Sequence, residues 1–228
     1  METLGPHGIA GTDLRSGIAD EARLRRSESE HRIANSFQIA AAALAQERRG
    51  VIDVETARAA LAAMSARLLA MAHLHRTLSA VLPCEDVEIG AYLCGLRAEI
   101  EHGIGTALRI DVRGLTIAAQ TAAQIGIIVT EMATNAAKHA AADGHPAVLT
   151  VEADTNGLGE VRLRIHDDGP GFPEGLDLQQ TRSVGLMIIR ATVERLGGYV
   201  YLMPRFGPYL LTGAGLEIVL PPRRRHGA

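Results

Sequence analysis

Apolar positions repeat at helical spacing over the first third of the chain. Two stretches, from Asp20 to about Arg49 and from Asp53 to about Ala80, lack interior Gly and Pro and predict helices joined by a turn near Gly50. The second helix carries a seam at heptad spacing, formed by Val54, Ala57, Leu61, Met64, Leu68, Met71, His75 and Leu78. One hairpin cannot bury this seam together with the apolar stripe of the first helix. We therefore expect two copies to form a four-helix bundle.

The pattern changes after Pro83, where helical stretches alternate with strand-like ones. Strict alternation from Val161 to Ile165 predicts a strand with one buried face, and a helix is predicted from about Ala118 to Ala141. We therefore expect a domain boundary near residues 81–85. The predicted organisation is a leader (1–20), a helical hairpin (21–82), an α/β domain (85–221) and a basic tail (222–228).

Composition excludes several classes of protein. The chain has 228 residues, of which 47% are apolar and 21% charged, with a net charge of −3, which is ordinary for a globular protein and offers no basic surface for nucleic acid. Cys84 and Cys94 match no zinc or redox spacing. The most apolar stretch, 125–142, is interrupted by charged and amide side chains. We expect a cytoplasmic protein with no nucleic-acid partner, no signal peptide and no membrane span.

His31 is the first candidate for chemistry. It lies roughly 160° around the helix from the apolar stripe of Ile33, Phe37, Ala40 and Leu44, which places it in solvent. An exposed imidazole near neutral pH is a usable nucleophile, and Asn35, one turn away, can orient a phosphoryl oxygen. A plain polar helix face is the commoner explanation of a lone histidine.

A second polar face lies on the helix predicted at 118–141. Glu131, Asn135 and Lys138 project from one side of it, with His139 at the border, and Lys138 is the only lysine among 23 basic residues. An amide oxygen is a hard ligand for Mg²⁺ and an ammonium is a point charge for phosphate, so this face suits a magnesium polyphosphate. A solvated helix face is the alternative.

Two glycine-containing segments follow. The predicted strand runs into the segment from Asp167 to Gly171, where alternate glycines allow close approach to a flat ligand and a carboxylate can accept a hydrogen bond from an exocyclic amine. A turn without a ligand uses the same residue types. The segment from Ser183 to Leu186 opens a helix whose free N–H groups favour an anion. Walker and Rossmann spacings are both absent.

In this order, the four segments resemble the motifs of sensor histidine kinases, over about residues 21–221. Glu30 to Asn35 resembles the phosphoacceptor box of the HisKA_2-like subclass, in which His-Arg begins the box and an Asn follows four residues after the His. The segment from Asn135 to Ala140 resembles the N box. Asp167 to Gly171 and Ser183 to Leu186 resemble the first and second glycine boxes.

The resemblance implies an α+β protein: a hairpin that forms a dimeric four-helix bundle, then a GHKL-type (Bergerat) ATP-binding α/β sandwich with a mixed sheet layered by helices. By matching position, His31 receives the phosphoryl group, with Glu30 and Asn35 beside it, and Asn135 holds Mg²⁺. The residues implied to bind ATP are Glu131, Asn135, Lys138, His139, Asp167, Gly169, Gly171, Ser183, Gly185 and Leu186. Residues 172–183 are implied to form a lid that orders over ATP.

The implied function is autophosphorylation of His31 from MgATP, followed by transfer to an aspartate of a response regulator receiver domain. The implied assembly is a homodimer, and about 20 leading residues are too few for a sensor domain, which leaves a role for a separate sensory partner. Ala34 and Ser36 replace the common Lys and second Asn of the phosphoacceptor box. Ala214 stands where the resemblance implies a threonine, which puts that part of the implied phosphate site in question.

Two other functions fit part of the pattern. A histidine phosphotransfer protein with a degenerate nucleotide domain would keep the hairpin and lose the Asn and Gly boxes. A serine kinase that regulates a sigma factor, or another ATPase on the same nucleotide fold, would lack the hairpin with its exposed histidine. The chemistry of the bound phosphate separates these functions.

Overall fold

A computed structural model describes scattered positions between residues 41 and 72 and the continuous stretches 86–140, 145–204 and 213–222. The phosphoacceptor box with Glu30, His31 and Asn35 lies outside the described residues. The predicted leader, the boundary near residues 81–85 and nearly all of the basic tail also lie outside them.

The second helix of the predicted hairpin begins at the expected residue. The Thr56 N–H donates to Asp53 Oδ1 at 2.8 Å, and Thr56 Oγ1 accepts from the N–H groups of Ile52 and Asp53, each at 3.1 Å. These reciprocal bonds satisfy donors that the first helical turn leaves unpaired. Every described position from 54 to 72 is helical.

The remaining elements alternate strands and helices. In chain order they are β1 (Asp86–Glu88), α1 (Ile89–Gly103), β2 (Ala107–Val112), β3 (Thr116–Ala118), α2 (Ala119–His139), β4 (Val148–Thr155), β5 (Val161–Asp167), α3 (Val184–Arg195), β6 (Tyr199–Leu202) and β7 (Gly215–Leu220). Among the described residues, no helix combines the length and apolar composition needed to cross a bilayer.

Five strands form a mixed sheet in the order β2-β4-β5-β7-β6. Strands β2 and β4 are parallel, and the other neighbours are antiparallel. Strands β1 and β3 pair separately in an antiparallel ribbon. Since β7 is inserted between β5 and β6, the start of β7 lies beside the end of β5. The predicted class, a mixed sheet layered by helices, is confirmed.

The predicted strand β5 has the expected alternation. Leu163 and Ile165 are fully buried on the face that joins the hydrophobic core, whereas Arg162 and Arg164 lie on the other face. On that outer face Arg164 contacts Asp154 at 3.1 Å and Glu217 at 3.5 Å. One face of the sheet is thus apolar and packed, and the other is charged.

Helix α2 is the most buried helix of the described chain. Its predicted apolar stripe is confirmed, since no member is more than 1% exposed: Ile125, Ile128, Val129, Met132 and Ala136. Apolar burial of this extent is the main source of stability in such a domain. Packing on this stripe also fixes the rotation of the helix, and therefore the direction of the polar face with Asn135.

Helix α1 crosses α2 at Gly126. A Cβ atom added there would lie 2.8 Å from the Tyr92 hydroxyl oxygen and 2.9 Å from Leu96 Cδ1, both closer than normal contact. Burial raises the pKa of the Tyr92 hydroxyl above its ordinary value, so the phenol stays neutral at this crossing. Glycine lets the two helices approach closely.

We expect Gly126→Ala to lower the free energy of unfolding by about 1 to 3 kcal/mol, because overpacking outweighs the gain in helix propensity. Urea denaturation measures the change. Gly157→Ala is the matched control, since a Cβ there meets nothing within 4 Å. Adding Tyr92→Phe removes the nearest contact and should recover part of the loss in a double-mutant cycle. Equal stability of the two alanine variants contradicts this prediction.

Candidate functional site

A cavity of about 320 Å³ opens where α2 ends, β5 ends and α3 begins. Its volume falls in the range of small-molecule pockets, roughly 300–1,000 Å³. The lining combines a few polar groups with a largely apolar wall, and its members are Asn135, His139, Ala140, Asp167, Pro170, Gly171, Phe172, Pro173, Leu176, Thr181, Ser183, Leu186 and Ala214.

The carboxylate of Asp167 is fixed by the backbone around it. Its Oδ1 accepts hydrogen bonds from the N–H groups of Gly169 and Ala214, each at 2.9 Å, and the Asp167 N–H donates to the Ala214 carbonyl at 2.9 Å. The residue is only 6% exposed. Among the described residues no donor bonds to Oδ2, so this oxygen keeps its acceptor capacity for a ligand.

Gly213 makes this arrangement possible. A Cβ at Gly213 would lie 1.8 Å from the Asp167 carbonyl oxygen and 2.3 Å from Oδ1. Any side chain would therefore separate the start of β7 from the end of β5. Gly213 carries no local sequence signal, because its role depends on a partner 46 positions away in the chain.

The first glycine box lies against the end of the N-box helix. A Cβ at Gly169 would lie 2.3 Å from Ala140 Cβ, and Ala140 is the residue that ends α2. Gly171 has a φ of +86°, in the region that favours glycine. Asp168 Oδ1 accepts the Val148 N–H at 2.9 Å and joins the turn to the start of β4.

The second glycine box meets the N box at Gly185. A Cβ there would lie 3.0 Å from Glu131 Oε2 and 3.2 Å from Asn135 Oδ1, so a carboxylate and an amide oxygen converge on one point. Glu131 is 2% exposed. Both are hard oxygen donors, and Mg²⁺ commonly binds through one or two such protein oxygens together with substrate phosphates. These residues therefore suit Mg²⁺ by the chemistry of their donors.

The structure brings most of the predicted nucleotide residues to this cavity. Six line it: Asn135, His139, Asp167, Gly171, Ser183 and Leu186. Gly169 and Gly185 lie directly against lining residues, and Glu131 lies against Gly185. Lys138 is exposed and is not among the lining residues. The roles of all ten toward a nucleotide remain predictions.

Ser183 occupies the N-cap position of α3, as expected from the sequence. Its side chain makes no capping hydrogen bond to the helix. Its carbonyl accepts the Met187 N–H at 3.0 Å, and its own N–H donates to Thr181 Oγ1 at 3.2 Å. The first N–H groups of α3 are therefore left without the side-chain acceptor that a serine cap usually supplies.

Ala214, which replaces a threonine of the implied phosphate site, lines the cavity. Ala214 lies beside Asp167 and offers its backbone N–H to the carboxylate. Leu176 and Thr181 also line the cavity, although the sequence placed them only within the implied lid and singled out neither.

Two family descriptions match the chain in the order of its motifs. "Histidine kinase" matches residues 28–103, and "Histidine kinase-, DNA gyrase B-, and HSP90-like ATPase" matches residues 120–224. The second match contains α2, β5, α3 and every residue of the cavity lining. The chain carries, in order, the two regions of a sensor histidine kinase.

Relatives of this histidine kinase include blue-light-activated histidine kinase 2 of Erythrobacter litoralis, 32% identical over 49% of this chain and 33% of the relative. Sensor histidine kinase PdtaS of Mycolicibacterium smegmatis is 28% identical over 94% of this chain and 42% of its own length. The chain thus spans less than half of these curated relatives.

A solved structure agrees with the fold of this histidine kinase. The histidine kinase domain of the Erythrobacter litoralis EL346 blue-light activated kinase superposes with a TM-score of 0.58 at 22% identity, covering 82% of this chain and 94% of that domain. This similarity concerns the fold.

We expect Gly213→Ala to lower the free energy of unfolding by about 2 kcal/mol or more, because its Cβ cannot fit beside the Asp167 backbone. Ala214→Gly is the matched control: it keeps the N–H donor and should cost no more than about 1 kcal/mol. Denaturant unfolding measures both variants. A Gly213→Ala variant as stable as the Ala214→Gly variant would show that the close approach is not required.

Proposed function

We propose that this chain is the catalytic region of a two-component histidine kinase, which transfers the γ-phosphoryl group of MgATP to His31. The observation that carries the proposal is the Asp167 carboxylate, held by two backbone N–H groups at the wall of a cavity that Asn135 also lines. The fixed carboxylate of Asp167 suits the base of a nucleotide, and the amide oxygen of Asn135 suits its phosphate end. The two family matches support the same function.

The adenine end of the proposed site is the region around Asp167. With Oδ1 occupied by backbone donors, Oδ2 can accept a hydrogen bond from the exocyclic amine of adenine. Guanine presents a carbonyl oxygen at that position, which a carboxylate repels. Pro170, Phe172 and Leu176 supply apolar surface for the faces of the base.

The phosphate end of the proposed site is the region where Asn135, Glu131 and Gly185 meet. Asn135 would hold Mg²⁺, which neutralises phosphate charge when bound, and Glu131 would orient a water of its shell. Lys138 and His139 at the exposed end of α2 would contact phosphate oxygens as positive charge and hydrogen-bond donor. Phosphoryl transfer depends mainly on such positioning and charge neutralisation.

The proposed reaction places the phosphoryl group on a His31 nitrogen. The imidazole lone pair forms the N–P bond while the bond from the γ-phosphorus to the bridging oxygen breaks and ADP leaves. Glu30 accepts or orients the imidazole proton, and Asn35 orients the phosphoryl oxygens. In the second step a carboxylate oxygen of a response regulator attacks phosphorus, and the N–P bond breaks.

A homodimer is part of the proposal. The described positions of the second hairpin helix include three apolar side chains at seven-residue spacing that are exposed by 69%, 67% and 42%, namely Val54, Leu61 and Leu68. Met64 and Ala60 on the adjacent face are buried. An exposed heptad stripe supports packing against a second copy. A receiver-domain partner, a separate sensory partner and a cytoplasmic location complete the proposal.

We expect Leu61→Glu to dissociate the dimer, because a charge would then lie in the apolar seam. Size-exclusion chromatography with light scattering should give twice the 24.2 kDa chain mass for the wild type and the single-chain mass for the variant. Ala62→Glu adds the same charge about 100° around the helix and is the matched control. Dissociation by both variants, or a monomeric wild type, contradicts the dimer.

The kinase proposal is tested by incubating the protein with γ-labelled MgATP and measuring the acid and base stability of the bound phosphate. We expect an acid-labile, base-stable label that is absent in His31→Ala and retained in His102→Ala, which removes an exposed imidazole from α1. Asn135→Asp should also abolish labelling and leave the dimer intact, because it adds a negative charge beside Glu131 and the phosphates.

Other outcomes point to the other functions. Absence of label with uptake of phosphate from a phosphorylated regulator supports a histidine phosphotransfer protein with a degenerate nucleotide domain. An acid-stable phosphate that is passed to serine excludes both the histidine kinase and the histidine phosphotransfer protein. Undiminished labelling of Asn135→Asp contradicts its role in holding the metal.

A further inference from the structure

Arg190 on α3 binds the backbone of the segment between the two glycine boxes. Its Nη1 donates to the carbonyl oxygens of Leu178 and Gln179, at 2.9 and 2.8 Å. The same nitrogen lies 3.4 Å from Gln179 Oε1, and the arginine side chain is 25% exposed. One guanidinium group therefore fixes two consecutive carbonyls in a partly buried position.

The segment it binds is a turn with its own anchor. Asp177 Oδ1 accepts the Gln179 N–H at 2.8 Å, and the Asp177 carbonyl accepts the Gln180 N–H at 3.2 Å. The Leu178 side chain is 9% exposed and belongs to the hydrophobic core cluster. Two N–H groups of the turn thus bond within it, and Arg190 supplies the donors for two of its carbonyls.

This turn is flanked by residues of the cavity wall. Leu176 precedes the two bound carbonyls, and Thr181 and Ser183 follow them. Arg190 lies on the same helix as Gly185 and Leu186, which begin the other side of the cavity. Arg190 therefore joins the segment over the cavity to the helix that starts beside it. The family resemblance implies that this segment orders over ATP, and no sequence motif identifies an anchor for it.

We propose that Arg190 is a positioning residue that sets the conformation of residues 176–183 before a nucleotide binds, and thereby sets the affinity for ATP. This inference rests on the proposed kinase function. Arg190 does not line the cavity, so it acts through the segment it holds. Its ion pair with Glu194, at 3.7 Å with the glutamate 62% exposed, adds little because such pairs are screened by water.

The first test needs no nucleotide. Arg190→Met keeps the aliphatic stem and removes the donors, and we expect the amide hydrogens of residues 177–182 to exchange about tenfold faster. Arg190→Lys keeps a charged donor and should exchange more slowly than the methionine variant. Arg195→Met is the matched control, because Arg195 lies on the same helix but bonds to Gln124 Oε1 at 2.7 Å instead of to this segment.

The second test measures labelling from γ-labelled MgATP. We expect Arg190→Met to raise the apparent KM for ATP by about tenfold, while the rate at saturating ATP changes by less than about twofold. A residue that acted on the reacting atoms would lower the saturating rate instead. Arg195→Met should leave both parameters near the wild-type values.

Three results overturn the inference. Unchanged exchange in Arg190→Met shows that the arginine does not hold the segment. Faster exchange with an unchanged KM shows that the segment does not set nucleotide affinity. Failure of the wild type to bind ATP overturns the proposed function, and the role of Arg190 with it. This outcome differs from failure of the Arg190 role alone, because it appears in the wild type and not only in the variant.

Discussion

The candidate site depends on one buried carboxylate and the backbone that pairs it. A carboxylate that is 6% exposed is costly to bury unless hydrogen bonds compensate it, and Asp167 receives two of them from Gly169 and Ala214. These bonds join three parts of the chain: the end of β5, the turn after it and the start of β7. The close approach is possible only because Gly213 lacks a side chain. The cavity wall takes its shape from this junction.

Helix α2 supplies the other constraint, because one element serves both packing and chemistry. Its apolar stripe holds the helix against the core, and its polar face places Asn135 in the cavity wall and Glu131 against Gly185. Glycines allow close approach on both sides, Gly126 toward α1 and Gly185 on α3. Substituting a bulky residue at either crossing would shift the helix, and with it the direction of the amide at position 135.

Local features of the fold could be predicted from the sequence, and long-range ones could not. The stripe of α2, the alternation of β5 and the glycine boxes depend on neighbours in the chain, so periodicity and turn chemistry reveal them. The bond from Ala214 to Asp167 and the contacts of Arg190 depend on which distant segments meet. Ala214 reaches Asp167 because β7 lies between β5 and β6, a position that cannot be deduced from local pattern. His31, Glu30 and Asn35 remain predictions.

The position of β7 in the sheet has a consequence for the timing of folding. Strand β7 is the last described strand in the chain, yet it pairs with β5, and position 214 supplies a donor to position 167. Contacts between such distant positions form slowly, because a long loop must close before they are gained. During synthesis the cavity therefore lacks part of its wall, and Asp167 lacks one of its two backbone donors, until residue 214 has left the ribosome.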